Sequence, residues 1–218
     1  MARYGMVIDL KRCIGCQACT VACKAENFVP PGIKWNRVLD YTTGKYPNVS
    51  RHFLPMPCMH CVNAPCVQVC PTGASYKRAD GIVLTDYDKC MGCRYCDIAC
   101  PYDRRYFYEE KVSYFPPGFI PPEEFKSDLL GVKAHQVGTV QKCTFCVHRI
   151  DAGIQKGLMP GVDWEASPAC VNACPTGARI FGDLDDPDSE VSRLIVSRRG
   201  YQLLPELGTE PSVYYLPV

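Results

Sequence analysis

Apolar positions along this chain come in short runs, and none approaches the ~20 consecutive residues of a membrane-spanning helix. Tyr4 to Asp9 and Gly81 to Thr85 read as short β-strands, each placed just before a group of cysteines. Cys19 to Asn27 and Cys96 to Cys100 predict short helices that begin within such groups. The intervening stretches read as loops. Pro30 to Pro57 carries Trp35, Tyr41, Tyr46 and Phe53, and Tyr102 to Phe125 carries Tyr106, Phe107, Tyr108, Tyr114, Phe115 and Phe119 among Pro116, Pro117, Pro121 and Pro122. Proline-stiffened aromatic loops suit docking surfaces, and serve equally as a roof over whatever lies beneath. The tail from Leu203 to Val218, with Tyr214-Tyr215-Leu216, is expected to strap the body or to meet a partner. The pattern predicts an α+β fold of short antiparallel strands and short helices, with long irregular loops.

Elements this small need something else to hold them together, and sixteen cysteines in 218 residues supply it. They fall into four groups: Cys13, Cys16, Cys19, Cys23; Cys58, Cys61, Cys66, Cys70; Cys90, Cys93, Cys96, Cys100; and Cys143, Cys146, Cys170, Cys174. Disulfides within such runs would close tiny strained loops. A tetrahedral zinc site takes two separated pairs and has no use for a third cysteine two residues on. The C-x2-C-x2-C-x3-C spacing instead suits cubane iron–sulfur clusters, in which three thiolates of one loop hold three irons and the fourth cysteine reaches a neighbouring cluster. Sixteen thiolates are enough for four [4Fe–4S] clusters.

The formal charge of +1 counts the cysteines as neutral. With sixteen thiolates and four oxidised cubanes the loaded protein falls to about −7, which disfavours nucleic acid as a partner. The start of the chain has neither a long apolar core nor a cleavage signal, so membrane contact is expected only through a partner.

The chain also repeats itself. Cys70-Pro71-Thr72-Gly73-Ala74 recurs as Cys174-Pro175-Thr176-Gly177-Ala178. Each pentad closes a group with one widened gap, four residues after Cys61 and twenty-three after Cys146, whereas the first and third groups are uninterrupted. Duplicated two-cluster, bacterial-ferredoxin-like units explain this economically. Crossing the fourth cysteine of each group gives an inner unit with clusters on Cys58, Cys61, Cys66, Cys100 and on Cys70, Cys90, Cys93, Cys96. The outer groups then pair as Cys13, Cys16, Cys19, Cys174 and Cys23, Cys143, Cys146, Cys170. Pairing the first group with the second would instead leave two sequential units. The nested arrangement divides the chain into an outer unit (1–50 with 130–198), an inner unit (51–110), a connecting loop (111–129) and a strap (199–218). Gly15 and Gly92, one residue before the second cysteine, permit the tight loop, and Pro71 and Pro175 fix the backbone where the fourth ligand turns away.

No side chain is assigned bond-making chemistry. Cations beside ligands favour a reduced cluster, and Lys24, Lys89, Arg94 and Lys142 are the candidates, against the simpler reading of solvated charge. His60 and His148, close to ligands, read as packing residues, while His52 and His135 carry no signal. Asp183, Asp185, Asp186 and Asp188 read as a solvated turn.

The motif order resembles the four-cluster iron–sulfur subunits of the dimethyl sulfoxide reductase superfamily, as found in polysulfide, thiosulfate, tetrathionate, dimethyl sulfoxide and respiratory arsenate reductases. The matching stretches are Gly5-Met6-Val7-Ile8-Asp9, Asn63-Ala64-Pro65-Cys66, Pro101-Tyr102, Lys142-Cys143-Thr144-Phe145-Cys146 and Phe181-Gly182-Asp183-Leu184-Asp185-Asp186-Pro187. The resemblance implies the nested pairing, a large molybdenum or tungsten bis-pterin catalytic partner and a multi-helix quinone-reactive membrane partner, with this chain relaying electrons between them. Some relatives replace a third-group cysteine and hold a three-iron cluster; here Cys90, Cys93, Cys96 and Cys100 are all present. The tail lacks the membrane helix of formate dehydrogenase relatives. Export as a folded passenger of a twin-arginine partner is favoured over a cytoplasmic location. The competing functions are a polyferredoxin of a hydrogenase or formate-oxidising complex, and a zinc-stabilised interaction protein.

Overall fold

The computed structural model describes residues 2–116, 119 and 132–218. Strand β1 (Tyr4–Asp9) is buried along its whole length, and its period-two alternation divides it between two apolar clusters. Tyr4, Met6 and Ile8 join the main core with Phe181, Val213 and Tyr215. Val7 turns the other way, onto Ile180, Val191 and Leu216. Its neighbours are β8 (Arg179–Asp183), antiparallel, and β9 (Val213–Leu216), parallel. The parallel pairing corrects the expectation of antiparallel strands alone. The tail arrives from the far end of the chain, so no hairpin constrains its direction. It straps the body as a sheet strand, with Tyr215 Oη donating to Pro55 O at 2.8 Å.

The stretch read as a loop from Pro30 to Pro57 holds a long hairpin, β2 (Arg37–Lys45) with β3 (Asn48–Met56). Its outer part is exposed on both faces, which leaves no apolar alternation to read. Shorter strand pairs flank the second and third cysteine groups. These are β4 (Ser75–Lys77) paired with β5 (Val83–Thr85), and β6 (Tyr106–Phe107) paired with β7 (Val140–Gln141). The strand expected from Gly81 is therefore trimmed at its start. Pro117, Pro121, Pro122 and Phe125, and most of the expected connecting loop, lie outside the described residues.

Helices α1 (Ala18–Asn27), α2 (Pro65–Gln68), α3 (Tyr95–Ile98) and α5 (Ala169–Asn172) share one placement: the third cysteine of each group is the helix's second residue. Among the described residues there are two further α-helices: α4 (Val147–Gln155), which starts at Cys146 inside the fourth group, and α6 (Glu190–Ser197) beyond the last group, capped by the Ser189 hydroxyl accepting from Ser192 N. The main core itself contains Cys19, Cys23, Cys58, Cys61, Cys66, Cys96, Cys143 and Cys170.

The residue before the second cysteine is left-handed in all four groups: Gly15 (φ 69°), His60 (43°), Gly92 (73°) and Phe145 (54°). At Gly92 a side chain is barred twice, because a Cβ there would lie 2.3 Å from Gly138 O and 3.1 Å from the Phe107 ring. Gly92→Ala is expected to cost ~1–3 kcal/mol in conformation, plus the clash. Gly73 has a similar φ of 66° but open space around the equivalent Cβ. Denaturation midpoints followed by circular dichroism should therefore fall further for Gly92→Ala than for Gly73→Ala; equal midpoints would show that the close approach is harmless.

Candidate metal centres

The sixteen sulfurs converge in fours, and each foursome mixes two sequence groups. Cys13, Cys16, Cys19 and Cys174 line one void. Cys58, Cys61, Cys66 and Cys100 line a second, and Cys70, Cys90, Cys93 and Cys96 a third. The remaining four meet at α1: burial pushes the Cys23 thiol up, and the charges nearest it are those of Cys143, Cys146 and Cys170. These foursomes are named below by their first loop cysteine, as the Cys13, Cys58, Cys90 and Cys143 quartets. Among the described residues no three Cys, His, Asp or Glu side chains converge on a point that would hold a single metal ion. A zinc ion with Zn–S bonds of about 2.3 Å would need such convergence, whereas sulfurs spaced around a void match a cube of iron and sulfide.

Burial and mutual repulsion act on these thiols together. Cys143 is pushed up to about 12 by burial and then by Cys170 and Cys58. Cys61 and Cys146 move the same way, for the same reasons. Groups in this state are poor thiolates until a cation takes up their charge. Two crossing cysteines differ. Burial raises Cys70, but the Ser75 N–H at 3.3 Å and the Thr72 hydroxyl outweigh it and hold the thiol below its ordinary range. Burial likewise raises Cys174, and the Thr176 hydroxyl and the Ala178 N–H at 3.3 Å reverse the shift.

The other donors to sulfur follow the same geometry. Arg104 N–H donates to Cys100 Sγ at 3.5 Å. At Cys23 a side chain supplies what the backbone supplies elsewhere: the buried Asn27 amide donates to Cys23 Sγ at 3.8 Å and to Cys146 Sγ at 3.6 Å. Arg105 Nη2 lies 3.0 Å from Cys66 Sγ, and Arg179 Nη1 lies 3.8 Å from Cys170 Sγ. Arg105 Nε is buried with no protein acceptor while its residue lines the Cys58 void, as expected where a cluster sulfide is the acceptor.

Of the four candidate cations, Lys142 alone is fully buried, and the other three fit the simpler reading of solvated charge. Lys24 donates to Pro30 O and Tyr114 Oη, Lys89 faces Asp86 at the surface, and Arg94 lies over the Phe107 ring while pairing with Glu109. Arg105 and Arg179 went unpredicted, although a signal exists: each stands five residues after a crossing cysteine, Cys100 or Cys174. His60 is buried, accepts the Val83 N–H at 3.0 Å through Nδ1, and stacks on Phe145 with ring centres 3.8 Å apart. His148 bonds Glu26, His52 stacks on Tyr41, and His135 meets Asn27 O. The Asp183 turn ties Arg3 and caps its own backbone.

A family model described as a 4Fe-4S dicluster domain matches residues 49–115, and a second of the same description matches twice, over 12–74 and 89–178. The chain belongs to the 4Fe-4S dicluster family. It carries four [4Fe–4S] clusters and is an iron–sulfur electron-transfer subunit. One model frames the second and third groups together, whereas the other frames the groups in sequential pairs, so the models alone fit either pairing. Three relatives align along nearly the whole chain. A Halobacterium salinarum protein assigned as a dimethyl sulfoxide reductase iron–sulfur subunit is 48% identical over 99% of this chain and 79% of its own length. A selenate reductase subunit of Mesobacillus selenatarsenatis is 45% identical over 97% and 70%. The iron–sulfur cluster-binding subunit of menaquinone reductase from Nitratidesulfovibrio vulgaris is 41% identical over 98% and 88%.

In this family the clusters exchange single electrons, and hydrogen bonds to sulfur raise their potentials by offsetting the added charge. Asn27→Leu removes two such hydrogen bonds while keeping the branched four-atom side chain. The midpoint potential of one cluster should fall, and an EPR-monitored redox titration matching the parent would show that the amide has no electronic role.

Proposed function

We propose that each mixed quartet holds one cluster, that the ferredoxin-like units are nested, and that the chain relays electrons between a molybdopterin catalytic subunit and a quinone-reactive membrane subunit. The supporting observation is the exposure of the ligands. All four ligands of the Cys143 quartet and all but Cys100 of the Cys58 quartet are buried, whereas Cys16 and Cys93 reach the surface in the two others. Both exposed cysteines sit in uninterrupted loops, beside Ile14 and Met91 at equivalent positions, 59% and 67% exposed. Val21 flanks the first, and Tyr95 and Ile98 flank the second, all solvent-exposed. Apolar skin around a surface ligand suits docking, and close docking shortens the electron's jump. Two such places serve a donor and an acceptor.

The relatives' names point the same way, because they are subunits of reductases of oxidised substrates and of a menaquinone reductase. Among the described residues no helix is long and apolar enough to cross a membrane, so attachment in this reading runs through the membrane partner. The complex is assigned to the periplasmic face, with the chain exported as a folded passenger, and protease access in intact spheroplasts tests that side. Affinity purification of the tagged chain from its native membranes should bring down a large pterin-containing subunit and a multi-helix subunit. A nickel–iron partner would replace this reading with the hydrogenase alternative.

Crossed ligation has its own test. Cys100→Ala should disrupt the cluster held by Cys58, Cys61 and Cys66 while leaving that on Cys90, Cys93 and Cys96 intact, as read by iron content and EPR. Loss confined to the cluster of its own loop would refute the crossing.

A further inference from the structure

Three cationic side chains are buried to 3% exposure or less without a carboxylate partner among the described residues: Arg105, Arg179 and Lys142. Arg104 is equally buried, but it pairs with Asp103 and bonds the carbonyls of Tyr102 and Met56. Burying an uncompensated cation costs several kcal/mol, so its position calls for a counter-charge nearby.

Each of the three stands between two quartets. Arg179 lines the Cys13 void, and its Nη1 reaches Cys170 Sγ of the Cys143 quartet; Asn36 Oδ1, 2.7 Å from Nη2, holds the guanidinium in place. Lys142 Nζ donates to Cys143 O at 2.6 Å on one side. On the other it donates to the carbonyl of Val83, which lines the Cys58 void. Arg105 reaches Cys66 Sγ of the Cys58 quartet with Nη2, while Nη1 donates to Ser75 Oγ at 2.8 Å. Ser75 lines the Cys90 void and gives its N–H to Cys70. The contacts therefore order the molecule as Cys13 quartet, Arg179, Cys143 quartet, Lys142, Cys58 quartet, Arg105, Cys90 quartet.

Reduction adds one negative charge to a cluster, and a nearby cation in a water-poor interior is only weakly screened from it. We infer that Arg179, Lys142 and Arg105 are potential-setting residues of the relay, one at each junction, each favouring the reduced state of both clusters that it faces. This rests on the quartets being the cluster ligands. The cations act on neighbouring pairs, so their effects overlap in a fixed pattern that a merely space-filling residue would not produce.

The test uses the full chain loaded with its clusters and reduced stepwise with dithionite. Iron content and EPR first count the clusters; fewer than four in the parent would defeat the ligand assignment and this inference with it. With four present, Lys142→Gln should lower two of the four midpoint potentials, each by about 59 mV or more, a tenfold fall in the reduced-to-oxidised ratio at fixed potential. Arg179→Gln should lower one of those two plus a third, and Arg105→Gln the other plus the fourth. Lys142→Arg should stay close to the parent. Four unmoved potentials, or a single cluster shifted by each variant, would overturn the inference. If Lys142→Gln loses a cluster, Lys142→Arg decides: retention of all four supports a role for the charge, and equal loss shows that the site needs only the lysine's shape.

Discussion

Each cysteine sulfur must become a thiolate to hold iron, and this fold places most of them away from water and close to one another. Burial and neighbouring thiols both oppose ionisation, as the upward shifts at Cys23, Cys61, Cys143 and Cys146 show. The apolar core cannot be assembled separately from that problem, because eight of the cysteines belong to it. Iron resolves the conflict by taking up the charge that the interior will not. The secondary structure is correspondingly slight: helices of four residues and strands of two or three would not hold a core by themselves. They act as walls for the quartets.

The backbone bears a second cost of the same constraint. All four ligand loops pass through a left-handed residue before the second cysteine. In the first and third groups this is glycine, which adopts that conformation freely. In the second and fourth it is His60 and Phe145, where the strain of ~1–3 kcal/mol is offset by burial and by stacking against each other. The difference between the groups is therefore positional. Glycine serves the loops whose second cysteine, Cys16 or Cys93, is exposed, and aromatic rings serve the loops that meet in the core.

What the sequence made legible was whatever the clusters dictate locally. The cysteine spacing, β1 before the first group and the short helices at the third cysteines all follow from a loop wrapped round a cube, and all are visible within a dozen residues. The β2–β3 hairpin was not legible, because its outer half touches nothing that would impose alternation. The parallel pairing of β9 depends on a contact between Met6 and Val213 that no local pattern encodes. The buried arginines escape a local reading for a related reason. Lys24, Lys89 and Arg94 are adjacent to ligands in sequence but point outward, whereas Arg105 and Arg179 lie further along and turn back. Adjacency in the chain is not adjacency in space, and the reading of Lys24, Lys89 and Arg94 as solvated charge stands. The regularity that would have served is the fixed distance of five residues from the crossing cysteine, since the chain has by then left the ligand loop and can return beside it.

In the nested arrangement proposed above, the same reversal explains how a duplicated unit forms a single path. At the position five residues past the crossing cysteine the inner unit has Ser75 and Arg105, and the outer unit has Phe28 and Arg179. Only one member of each pair is cationic, and the two arginines are not equivalent: Arg105 follows an uninterrupted group and Arg179 one with a widened gap, so the repeat itself does not copy them. Lys142 stands between the quartets of the two proposed units, at the residue immediately before Cys143, where its ammonium reaches back to Val83. It enters beside the His60–Phe145 stack, itself made from the two loops that lack the glycine. The contact between the proposed units is thus a feature that the repeat does not generate, as are the β2–β3 hairpin and the β9 strap. In the nested reading two ferredoxin-like halves each pass electrons internally, and Lys142 with the His60–Phe145 stack, whose members hold equivalent places in the two groups with a widened gap, joins one half to the other.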